Sequence, residues 1–120
     1  MEMQILETSI QTPVTDFLFI KSEYKRIRIS LNDILFISGL RDYTQIHLRG
    51  KTSPLITLLN LKYFEERLPV NQFIRVHRSY IVSVAQIDVV GRKEIQIGGQ
   101  NLPIGITFQP ALEELIDRYS

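Results

Sequence analysis

Apolar residues in this chain come in short runs rather than long stripes. Nine of them read as β-strands: Phe17–Lys21, Ile27–Ser30, Ile34–Ser38, Tyr43–Arg49, Leu55–Thr57, Tyr80–Ser83, Ile87–Val90, Glu94–Ile97 and Leu102–Ile104. Each is brief and bounded by turn chemistry. Within Tyr43–Arg49 the alternation puts Tyr43, Gln45, His47 and Arg49 on one face and Thr44, Ile46 and Leu48 on the other, the period-2 pattern of a strand with one wet face and one core face. Gly50-Lys51, Gly91-Arg92-Lys93 and Gly98-Gly99-Gln100 fit reversals between antiparallel strands, where glycine supplies positive φ at little steric cost.

Two segments follow a helical period instead. Leu61, Phe64 and Leu68 fall on one face behind Asn60, a natural N-cap, and Pro69 ends the element. Near the C-terminus Thr107 is positioned to cap a helix with the stripe Phe108, Ala111, Leu112, Leu115 and Ile116; Pro110 is tolerated there because it falls in the first turn. The fold class expected is mainly β with two short helices, and a sandwich or barrel is the default architecture. Residues 1–16 show neither period and contain Thr12-Pro13, so they read as a linker or flexible arm, with the domain occupying 17–120.

Composition narrows the function. The 120 residues are 44% hydrophobic and 22% charged, the balance of one ordinary globular domain. There is no cysteine, so disulfides and thiolate metal sites are unavailable, which suits a reducing cytoplasm. The N-terminus lacks a basic segment leading into an apolar run, and no stretch approaches the roughly 18 apolar residues of a membrane span. A cytoplasmic protein with no membrane partner is expected.

The net charge of +1 hides an uneven distribution. Residues 1–20 sum to −3 and residues 94–120 to −3, whereas residues 21–93 carry thirteen Lys or Arg against six Asp or Glu. A basic middle favours a polyanionic partner.

Catalytic patterns are missing. His47 and His77 stand thirty positions apart with no HxxxH or HExxH spacing. No GxSxG, GxxxxGKS/T or GxGxxG pattern occurs, and the acids concentrate in turns and on exposed helix faces such as Glu65-Glu66 and Glu113-Glu114. The expectation is a protein that is not an enzyme and needs no metal or cofactor.

The densest chemistry lies in Phe73-Ile74-Arg75-Val76-His77-Arg78-Ser79-Tyr80-Ile81-Val82. Phe73, Val76, Ile81 and Val82 read as core, while Arg75, His77, Arg78 and Ser79 concentrate hydrogen-bond donors where a strand begins. The planar fork of arginine can bond guanine O6 and N7, or a phosphate, bidentately. Arg75 and His77 can instead tie down the loop by bonding backbone carbonyls; that structural role fits His77 better, and contact with a partner fits Arg78 better.

These residues give the chain a resemblance to LytTR-type DNA-binding domains, output modules of bacterial two-component response regulators. The resemblance covers about residues 17–116 and rests on Phe19-Ile20-Lys21, on Asp33-Ile34-Leu35-Phe36-Ile37 followed by Asp42-Tyr43, and on Leu68-Pro69. It rests most of all on the Phe73–Val82 stretch, and then on Leu102-Pro103-Ile104-Gly105 ahead of the last helix.

The resemblance implies about ten strands in small stacked antiparallel sheets, and sequence-specific binding of double-stranded DNA through loops that enter successive major grooves. Carried over by motif, the first contact loop is Leu40-Arg41-Asp42-Tyr43, with Tyr43 or Gln45 toward base edges and Arg41 toward a phosphate. The second is His77-Arg78-Ser79. The third is Gly105-Ile106-Thr107-Phe108, where many members place serine followed by arginine.

Ile106 and Thr107 cannot replace that bidentate contact, which leaves weaker polar contacts from Thr107 and Gln109 and the free amides of a helix N-terminus. Arg92 and Lys93 are further phosphate contacts. The resemblance also implies paired direct repeats as targets and, as in most members, a receiver domain N-terminal to the DNA-binding part; a standalone regulator controlled through a partner is the alternative. The missing arginine near Ile106 supports an alternative, a protein-interaction or sensing module on the same fold that does not bind DNA.

Overall fold

The computed structural model describes residues 16–120; the expected linker or arm lies, apart from Asp16, outside these residues. In chain order the strands are β1 (Phe17–Ser22), β2 (Lys25–Ser30), β3 (Ile34–Gly39), β4 (Thr44–Leu48), β5 (Leu55–Thr57), β6 (Phe73–His77), β7 (Tyr80–Ser83), β8 (Ile87–Val90), β9 (Glu94–Ile97) and β10 (Gln100–Pro103). Helix α1 (Leu61–Arg67) joins β5 to β6, and α2 (Gln109–Arg118) closes the domain. Single 3-10 turns occupy Leu31–Asp33, Val84–Gln86 and Ile106–Phe108.

The strands form three separate antiparallel sheets, not one sandwich or barrel. A five-stranded sheet runs β5-β4-β3-β7-β6, a three-stranded sheet runs β10-β9-β8, and β1 and β2 make a hairpin. The mainly β class, with ten strands in small stacked sheets and two helices, is therefore what the described residues adopt.

The five-stranded sheet is covered on both faces, and neighbouring residues of β3 serve different cores. Ile37 packs with Ile46, Ile81, Ile20, Ile29 and Phe64, under the β1–β2 hairpin and α1. Phe36 packs with Val76, Val82, Ile95, Ile97 and Leu112, under the three-stranded sheet and α2. Phe36 and Ile37 are at most 1% exposed, and full burial of such a side chain stabilises by about 1.5–3 kcal/mol. A strand buried on both sides reads as a continuous apolar run, which is why Ile34–Ile37 lacks alternation.

Asn60 caps α1 as expected, its side chain accepting from the Tyr63 amide at 2.9 Å. Thr107 does not cap α2: it sits inside the 3-10 turn, and the N-cap is Phe108. The cause is local. The third residue after Thr107 is Pro110, which has no N–H to give, and the Gln109 amide is already bonded to the Ile106 carbonyl. Phe108 closes the turn by donating to the Gly105 carbonyl at 2.9 Å. Ala111, assigned to the apolar stripe, is exposed, whereas Leu112 and Leu115 are buried.

Candidate nucleic-acid interface

The turn between β3 and β4, residues 40–43, is closed by the Leu40 amide donating to the Tyr43 carbonyl at 2.8 Å. Leu40, Arg41, Asp42 and Tyr43 are all exposed. Gln45 lies beyond the turn, in β4, and is half-buried. The buried Ser38 hydroxyl reaches its Oε1 at 3.4 Å and the His47 Nε2 at 3.1 Å. His47 stacks on Phe36 with ring centroids 4.1 Å apart, and burial lowers its pKa. Tyr43 is thus exposed at the surface while Gln45, two residues on, is bonded to Ser38.

In the turn between β6 and β7, Arg78 is exposed and Ser79 half-buried. The turn is braced from below. Arg75 donates from Nε to the His77 carbonyl at 3.3 Å, from its second terminal nitrogen to the Arg78 carbonyl, and from its first to Glu65 Oε1 of α1 at 3.0 Å. The ring of His77 accepts the Ser79 amide on Nδ1 at 3.0 Å. Arg75 therefore ties carbonyls as one sequence reading expected, and His77 ties an amide instead. The register of β6 against β7 shifts between Arg75 and His77, and such an irregularity re-aims side chains.

Thr107 and Ile106 are exposed in the third segment, Ile106 by 83%. Gly105 lets the segment lie close to its neighbours: a Cβ there would meet the Phe108 ring at 3.0 Å and the His77 Cα at 3.6 Å. Gln109 is half-buried, and its side-chain amide reaches the Arg92 carbonyl at 3.5 Å. Arg92 and Lys93 are exposed between β8 and β9, in a turn closed by the Gly91 amide on the Glu94 carbonyl at 2.8 Å.

These segments, scattered from position 40 to position 109, form one row. The Gly39 amide bonds the Ser79 carbonyl at 2.8 Å, joining the first turn to the second. The Gly105 amide bonds the Val76 carbonyl at 2.8 Å, joining the second to the third, and the Ile104 amide bonds the Lys93 carbonyl at 2.8 Å, joining the third to the basic hairpin. A shallow depression of about 400 Å³ brings Arg41, Arg78, Ser79 and Asn60 to one surface.

Glu65 as the anchor of Arg75 and Asn60 as a neighbour of Arg41 are not legible in the sequence. Only an acid on the exposed face of α1 hinted at the former, since the contact spans ten residues.

A larger hollow, about 610 Å³, lies between β8 and the C-terminal end of α2, lined by Ile87, Val90, Ile116 and Tyr119. It contains no Lys, Arg or His and offers a polyanion nothing. Among the described residues no three His, Asp or Glu side chains gather as metal ligands, and no helix is long and apolar enough to cross a membrane.

Comparison with known proteins agrees with this fold. The family model of the LytTr DNA-binding domain matches residues 9–117. Among solved structures, the chain is similar to the LytTr DNA-binding domain of a putative methyl-accepting/DNA response regulator from Bacillus cereus. The TM-score is 0.73 at 19% identity, covering 85% of this chain and 97% of that one. No curated protein matches in sequence. With ten strands in three stacked sheets and a family match over nearly its whole length, the chain belongs to the LytTR family of DNA-binding domains.

Proposed function

We propose that the protein binds double-stranded DNA sequence-specifically, in the cytoplasm, as the output domain of a bacterial two-component transcription regulator. The single observation that carries this reading is the row of turns. Arg41 and Tyr43, Arg78 and Ser79, and Thr107 come from three separate segments, yet main-chain bonds align them on one edge with Arg92 and Lys93 at its end. A rigid edge of exposed donors suits phosphates and base edges.

Arg78 reads a base, and Tyr43 contributes a second contact from the neighbouring turn. Arg41, Arg92 and Lys93 hold phosphates, while Thr107 adds a polar contact. Gln109 acts by fixing the Arg92 turn, while Gln45, bonded to Ser38, faces the base edges from the strand behind Tyr43. The targets are direct repeats occupied by two copies side by side, and a receiver domain on the N-terminal side supplies control.

Selection from a randomised duplex library at two salt concentrations tests the proposal. Recovery of a motif repeated at one or two helical turns is the expected result. The exposed Ile106, in the middle of the row, favours a second reading, a protein-interaction module on the same scaffold. Salt-sensitive binding with no recovered motif would leave DNA binding without sequence preference, and no binding at all would select that reading.

A further inference from the structure

The row of turns does not end at Arg41. In the β1–β2 hairpin the register pairs Lys21 with Arg26 and Phe19 with Arg28. Directly paired residues share a face of the sheet, so these cations lie together on the outer face, while Ile20 and Ile29 are buried on the inner one. The tip is Glu23-Tyr24, with Tyr24 fully exposed.

The position of this tip is fixed by two side-chain bonds. Thr57 Oγ1 donates to the Lys21 carbonyl at 2.6 Å, and Ser22 Oγ donates to the Ile56 carbonyl at 2.6 Å. Thr57 pairs with Thr44, the first residue of β4 after the Arg41–Tyr43 turn. The hairpin tip therefore lies at the same end of the five-stranded sheet as Arg41, and at the opposite end from the Arg49–Asp33 pair.

The surface between them is continuous: a hollow lined by Lys21, Glu23, Thr57, Leu58 and Leu59 adjoins, through Leu59-Asn60, the depression shared by Arg41 and Arg78. At the tip itself a concave surface of about 440 Å³ is lined by Lys21, Lys25 and Arg26 with Tyr24 and the single acid Glu23. Among the described residues no carboxylate lies within salt-bridge distance of these three cations.

We propose that this tip is a phosphate-binding contact for the DNA backbone on the flank beyond the base pairs reached by the turns. Lys21, Lys25 and Arg26 hold the backbone there and Glu23 moderates the attraction. The row then carries cations at both ends, Lys21, Lys25 and Arg26 at one and Arg92 and Lys93 at the other, with Arg41 and Arg78 between. Contacts of this kind add affinity without adding base preference. The proposal rests on the DNA-binding reading above and extends its footprint.

The test uses the whole chain and two duplexes carrying a single copy of the selected repeat, one ending at that copy and one extended on each side by about ten base pairs, one helical turn. The wild type binds the extended duplex more tightly. Lys25→Ala and Arg26→Ala lose that advantage, with a salt slope smaller by about 0.9 for each phosphate no longer neutralised, and bind the short duplex as the wild type does. Glu23→Gln, which keeps the shape and removes the negative charge, strengthens binding to the extended duplex alone.

Circular dichroism verifies that each variant is folded. If the variants match the wild type on both duplexes with unchanged slopes, the tip is a solvated surface and the proposal fails while DNA binding stands. If the wild type binds no duplex, the underlying reading fails and this one with it.

Discussion

The guanidinium of Arg75 donates to the main-chain carbonyl of Arg78, so an exposed arginine of the candidate edge is held from below by another arginine. The two cations do different work. Arg75 is neutralised by Glu65 at 3.0 Å, and its side chain is only 22% exposed, whereas Arg78 turns its own side chain to solvent. A planar fork suits this brace because it can serve two carbonyls and a carboxylate at once.

Replacing Arg75 by lysine keeps the charge but removes the fork. Arg75→Lys should lower unfolding stability by about 1.5–3 kcal/mol, the worth of hydrogen bonds to a charged group. It should also weaken DNA binding, although Arg75 touches no DNA in the proposed arrangement. Urea melts alongside duplex titrations measure both, and Glu65→Gln should reproduce a milder form of each effect.

Arg78→Ala removes an exposed side chain that makes no bond among the described residues, so stability should stay within about 0.5 kcal/mol of wild type. Binding to the selected site should fall by about 1–3 kcal/mol, and the preference at one base pair should relax. Equal weakening on every sequence in the same titrations would reassign Arg78 to phosphate.

Arg92→Ala and Lys93→Ala should weaken binding alike on specific and random duplexes. Each should also lower the slope of log affinity against log salt by about 0.9 for every phosphate it ceases to neutralise. Gln109→Ala, which frees the Arg92 carbonyl, should give a smaller effect of the same kind. A slope that does not move in either basic variant would exclude this hairpin from the interface.

His47 supplies a pH prediction. Burial lowers its pKa in the folded state below the ordinary 6.5, so the unfolded chain takes up a proton at a higher pH than the folded one. Above about pH 6.5 both states are neutral at this ring and its contribution is fully present; as pH falls below that value the unfolded state gains protons first and stability declines. Denaturant melts between about pH 7.5 and about pH 5.5 should show this decline, and His47→Gln should flatten the His47-linked part of it.

Much of the fold was legible because its strands are short and their turns chemically marked. The alternation in β4 assigned Thr44 and Ile46 to the core, and both are buried. Asn60 and Pro69 bracketed α1 for the same local reasons that cap and end a helix.

What escaped was non-local. β6 does not announce itself as a strand, because Arg75 and His77 interrupt its apolar pattern and are accommodated by a register shift against β7. Separation into three sheets depends on Phe36 and Ile37 feeding different cores, and no window of sequence contains both sets of partners. The candidate side chains were each visible one at a time, through the family resemblance. Their alignment was not, since residues 39 and 79 meet only through the pairing of β3 with β7.

The bonds that align the turns run between main-chain atoms: Gly39 to Ser79, Gly105 to Val76, and Ile104 to Lys93. The side chains at positions 41, 43, 78, 106 and 107 take no part in those bonds. Recognition and architecture are thereby uncoupled along this edge. New side chains can be placed at these tips without disturbing the frame that presents them, which makes the row a keyboard whose keys can be changed one at a time.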